Sequence, residues 1–72
     1  MQTSGFRNST RDAQILRYQR AGNRAVSLEG RGFWLEAAEA WRQAAHTAPR
    51  EEWQRFSRER AERCLLRYRG KW

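Results

Sequence analysis

The sequence predicts an all-α fold, a three-helix bundle, and three observations predict it. Apolar residues recur at spacings of three and four along most of the chain, no alternating strand pattern occurs, and glycine or proline separates the periodic stretches. With 72 residues and a formal charge of +7, the chain has room for one small domain. A single core of this size supplies only roughly 3–5 kcal/mol, which predicts a partner or self-association as a homo-oligomer. Only 39% of the residues are hydrophobic and the mean hydropathy is −1.10. However, four Trp, three Phe and two Tyr bury much area per residue, which argues against a disordered chain.

Residues 1–10 are polar and lack apolar periodicity, so they read as a flexible N-terminal arm in which only Phe6 can dock. Residues 11–72 read as a single helical domain. Ser9, Thr10 and Asp12 offer oxygens that can cap a helix start. The first helix is expected from about Asp12 to Gly30, with Tyr18, Ala21, Ala25 and Leu28 on one face. Gly22 in its middle costs roughly 1 kcal/mol against Ala, and Gly30-Arg31-Gly32 closes it.

The second helix is expected from Phe33 to Ala48, with Trp34, Ala37, Trp41 and Ala44 on one stripe flanked by Ala38 and Ala45. Phe33 and Trp34 are adjacent, so one helical face cannot bury both. Pro49 suits the first turn of a third helix running to Tyr68, and Glu51 and Glu52 complement its dipole. Trp53, Phe56, Arg60 or Ala61, Cys64 and Tyr68 form the expected apolar ridge of that helix, and Gly70 stops it.

Charge divides the chain. The arm carries +1, residues 11–32 carry +3, residues 33–49 carry −1 and residues 50–72 carry +4. Arg17, Arg20, Arg24 and Arg31 are expected on a face of the first helix opposite its apolar stripe, and Arg60, Arg63 and Arg67 on a matching face of the third. With Trp34 these arginines make up the candidate partner surface. Glu51–Arg55 and Glu59–Arg63 have the spacing of helical ion pairs. Fourteen of the fifteen basic residues are arginine, a bias that suits carboxylate or phosphate recognition.

The inventory excludes most other classes. One His, one Cys and one Asp provide neither a catalytic constellation nor a metal-ligand cluster, so neither an enzyme nor a cofactor is expected. His46 reads as a favourable residue near a helix C-terminus, and Cys64 as a small buried hydrophobe that cannot form a disulfide within the chain. No apolar run approaches the ~18–20 residues that span a bilayer, and no signal-peptide core occurs, so a cytoplasmic protein without a membrane partner is expected.

Gly32-x-Trp34-x-x-Ala37-x-x-x-Trp41-x-x-Ala44-x-x-x-x-Pro49 resembles the second half of a tetratricopeptide (TPR) repeat, in which small and bulky residues alternate so that two helices lie tightly together. The expected architecture is a TPR-like helical hairpin with a third helix packed on it. A longer set resembles the ANR family of small bacterial regulators: Tyr18-x-x-Ala21, Ala25, Leu28-Glu29, Gly32, Ala37-Ala38, Trp41, Ala44, Trp53 and Arg60-Ala61-x-x-Cys64. Regulators of the PerC type share its Glu-x-x-Gly and Ala-Ala-x-x-Trp portion. Arg50 and Arg63 depart from the ANR pattern. The resemblance implies a transcription regulator that binds and inhibits an activator of the AraC/XylS type. The alternative is direct nucleic-acid binding, for which net charge and interleaved aromatics are the usual means.

Overall fold

The computed structural model describes the backbone of residues 2–70 and the side chains of residues 12–70. Three helices follow one another: α1 Gln2–Arg31, α2 Trp34–Thr47 and α3 Glu51–Tyr68, with no strand among the described residues. The fold is an all-α three-helix bundle built on a TPR-like hairpin.

Helix α1 begins at Gln2 rather than near Asp12, so the segment read as an arm has a helical backbone. Residues 2–11 contain no proline, and extending an established helix costs little per residue. The expected docking of Phe6 lies outside the described side chains. At the other end the helix includes Gly30, and the reversal falls on Gly32, whose φ is +80°. The Gly32 N–H donates to the Glu29 carbonyl and the Phe33 N–H to the Leu28 carbonyl, both at 3.0 Å. This is a Schellman motif, and its left-handed residue is strained for any side chain.

Helix α2 packs antiparallel to α1 and carries the core. Ala37, Ala38, Ala40, Trp41, Ala44 and Ala45 are buried on it, and Ala25, Ala61 and Cys64 meet them from α1 and α3. Alanine lets the helices approach closely, and Trp41, 4% exposed, is the one bulky side chain among these buried residues. Tyr18, Ala21, Leu28, Trp34 and Leu65 pack around them, half-buried.

Pro49 stands in the bend before α3 rather than in its first turn; Arg50 occupies the cap position and Glu51 begins the helix. The proline ring disfavours a helical conformation at Ala48, whose ψ of 129° is extended, and α2 ends there. The expected ridge of α3 is also corrected. Ser57, Ala61 and Cys64 form its buried stripe, whereas Phe56 and Tyr68 are exposed. Ser57 is fully buried and its hydroxyl has no hydrogen-bond partner.

Two short reversals make α3 parallel to α1, with α2 between them. Tyr18 stacks on Trp53 with ring centroids 5.2 Å apart, and the Cys64 thiol meets Glu29. Both pairs are separated by 35 residues, close to the TPR period of about 34. The molecule measures 54 × 22 × 12 Å, nearly a single layer, so α1 and α3 touch through long side chains and leave a cleft between their C-terminal halves.

A candidate partner-binding cleft

The floor of the cleft is built around Glu29. Its position in the last turn of α1 places the carboxylate within reach of both α2 and α3. Its Oε2 accepts the Trp41 indole N–H at 2.5 Å and the Cys64 thiol at 3.3 Å, while Oε1 accepts Arg60 Nη2 at 2.5 Å. Three helices are thus tied at one side chain that is only 15% exposed. Burial pushes the Glu29 pKa up, but hydrogen bonds from Trp41, Arg60 and Cys64 and the Arg60 charge outweigh it, so the carboxyl lies below its ordinary value. The Cys64 thiol is pushed up to about 12, first by burial and then by its bond to the Glu29 carboxylate and that group's charge. Cys64 is therefore a protonated, buried thiol, in agreement with its reading as a small hydrophobe.

Arg60 belongs to this interior network rather than to an open cationic face. Its guanidinium lies 5.6 Å from the Trp41 ring centroid and pairs with Glu29, and its Nε is buried without a partner. Phe56 meets the same indole edge-on at 5.7 Å. Arg67 covers the Trp34 ring at 4.5 Å, so Trp34 is half-buried while its neighbour Phe33 is exposed. Adjacent residues on a helix diverge by about 100°, which separates the two aromatics as expected.

Above this floor lies a cavity of about 690 Å³, lined apolarly by Val26, Trp34 and Leu66 and flanked by Arg60, Arg63 and Arg67. Val26 and Leu66 are 56% and 44% exposed, large apolar side chains left open to solvent. The structure thus brings together four of the eight residues expected on a partner surface: Trp34, Arg60, Arg63 and Arg67. Glu29 stands in the sequence reading only within the Leu28-Glu29 pair of the ANR resemblance, and Val26 and Leu66 stand in no pattern. Leu66 and Val26 lie off the core stripes, and that is the only signal they give in the sequence.

The other four, Arg17, Arg20, Arg24 and Arg31, are exposed on α1 and apart from the cleft. They do not stand opposite the apolar stripe. Arg20 and Arg24 flank Ala21 and line a furrow against Glu36, Glu39 and Arg42 of α2. At 100° per residue Arg24 is about 60° from Ala21, close to the packed face. The ion pairs among the described side chains are Arg60–Glu29 and a loose Arg50–Glu52 contact at 4.0 Å. The expected Glu51–Arg55 and Glu59–Arg63 pairs do not form.

Among the described residues no group of three His, Cys, Asp or Glu side chains converges as a metal site requires, and no helix is long and apolar enough to cross a membrane. No family model, curated protein or solved structure matches the chain.

Proposed function

We propose that the chain is a small transcription regulator acting by protein contact, which binds an activator of the AraC/XylS type and inhibits it. The observation that carries the protein-contact reading is the open cleft between α1 and α3, where exposed Val26 and Leu66 sit among arginines. Tryptophan and arginine around an apolar floor are the residues that dominate protein interfaces. The choice of activator rests on the resemblance of Tyr18 to Cys64 to the ANR pattern. In this reading the protein works in the cytoplasm and self-associates, since Phe33, Leu35, Phe56 and Tyr68 add further exposed apolar surface.

The test is a pull-down from a bacterial lysate with and without nuclease. Recovery of a helix-turn-helix activator that survives nuclease is the expected result. Recovery of nucleic acid alone supports the direct-binding alternative, which the exposed Arg17, Arg20, Arg24 and Arg31 favour. Glu36 and Glu39 beside Arg20 and Arg24 weaken the field available to phosphate, which is why protein contact is preferred.

A further inference from the structure

We infer that the furrow between α1 and α2 is a self-association surface, where a second copy of the chain docks about a two-fold axis and Arg20 and Arg24 of each copy pair with Glu36 and Glu39 of the other. This rests on the reading of the chain as self-associating and assigns the surface. Arg20 and Arg24 stand one turn apart on the α1 wall, and Glu36 and Glu39 one turn apart on the α2 wall. All four side chains are exposed, and none makes an ion pair among the described residues. One furrow thus carries unpaired guanidinium groups on one wall and unpaired carboxylates on the other.

Symmetry selects the occupant. A two-fold axis normal to the furrow exchanges its walls, so the arginines of one copy lie over the glutamates of the other, twice per contact. The spacings match: the arginine pair rises about 6 Å and the glutamate pair about 4.5 Å at roughly 1.5 Å per residue. Arg42 and His46 follow past the acidic pair on the α2 wall. A polyanion entering the furrow meets Glu36 and Glu39 along with the arginines, whereas the chain's own surface presents both signs. Surface ion pairs contribute little individually, so here they set register, and the small Ala21 and Ala40 lining the furrow let the second copy approach. Leu35, exposed one turn before Glu39, adds apolar contact. The furrow shares no lining residue with the α1–α3 cleft, so a dimer formed here leaves that cleft open.

The test exchanges charge between the walls. Sedimentation equilibrium of the natural chain at micromolar concentration is expected to give twice 8.6 kDa, since an isologous contact closes at two copies. Arg20→Glu with Arg24→Glu makes both walls acidic, and Glu36→Arg with Glu39→Arg makes both basic. Each double variant alone is expected to associate about tenfold more weakly or worse. An equimolar mixture of the two sets opposite charges against each other throughout the contact and is expected to regain the dimer. That recovery excludes unfolding as the cause of the loss. Circular dichroism checks each variant, and the single substitutions Arg24→Glu and Glu39→Arg repeat the exchange where a double variant loses its helical signal. Arg58→Glu, on the α2–α3 side, is expected to leave the mass unchanged.

A dimer that both double variants leave intact overturns the furrow as the contact and keeps self-association. Loss in folded variants without recovery on mixing, or equal weakening by Arg58→Glu, overturns the pairing and leaves only a general effect of charge. A monomeric natural chain overturns self-association and the furrow together, while capture of an activator by that monomer keeps the regulator. Recovery of the dimer on mixing without capture of any activator keeps the furrow and removes the named target.

Discussion

The Trp41 indole N–H donates to the Glu29 carboxylate, joining the bulky side chain at the centre of the core to the last turn of α1. Because Arg60 and Cys64 of α3 donate to the same carboxylate, one ionised group organises all three helices. A buried carboxylate is costly unless its lone pairs are used, and here each oxygen has a donor.

Glu29→Gln is expected to lower stability by about 2 kcal/mol, the scale of losing hydrogen bonds to a charged acceptor. The amide keeps the shape but offers one acceptor oxygen to three donors and leaves Arg60 without its counter-charge. Urea denaturation followed by Trp fluorescence measures the change. An unchanged midpoint contradicts the central role of this residue.

The same group gives stability a pH dependence. Glu29 holds its proton less tightly in the folded chain than in the unfolded chain, whose carboxyl titrates near the ordinary 4.5. The unfolded chain therefore binds more protons at acid pH. The contribution of Glu29 is complete above that value and is lost as pH falls through the lower folded value. Denaturation midpoints recorded on acidification are expected to fall more for the natural chain than for Glu29→Gln.

Cys64 is expected to resist alkylation. With its pKa pushed to about 12 and its side chain 2% exposed, little thiolate is present or reachable at mildly alkaline pH. Iodoacetamide labelling followed by mass spectrometry should be slow for the folded chain and fast in denaturant. Rapid labelling without denaturant contradicts the buried, hydrogen-bonded thiol.

Two substitutions around the indole are expected to act in opposite directions. Trp41→Ala removes the central side chain of the core and should cost about 3–5 kcal/mol, enough to unfold a domain of this size. A Cβ at Gly22 would stand 3.8 Å from the Trp41 ring, ordinary contact distance, so Gly22→Ala adds packing and helix propensity. It should stabilise the chain by up to about 1 kcal/mol. Thermal melts by circular dichroism check both.

Repeated three- and four-residue spacings, the breaks at Gly32 and Pro49, and the alanine stripe around Trp41 determined three helices and which face of α2 is buried. Those features are local, because helical neighbours lie within four residues and a left-handed turn selects glycine on the spot. The same local rules failed where no residue vetoes continuation, as in residues 2–11 of α1, and where two faces of one helix compete, as on α3. Only the tertiary structure decided that Arg60 turns inward to Glu29 while Arg63 stays exposed, and that Val26 and Leu66 line one open cleft. That outcome depends on the 35-residue register of two helices that meet only through their side chains, set jointly by the two reversals and by how closely alanine lets α2 approach both neighbours.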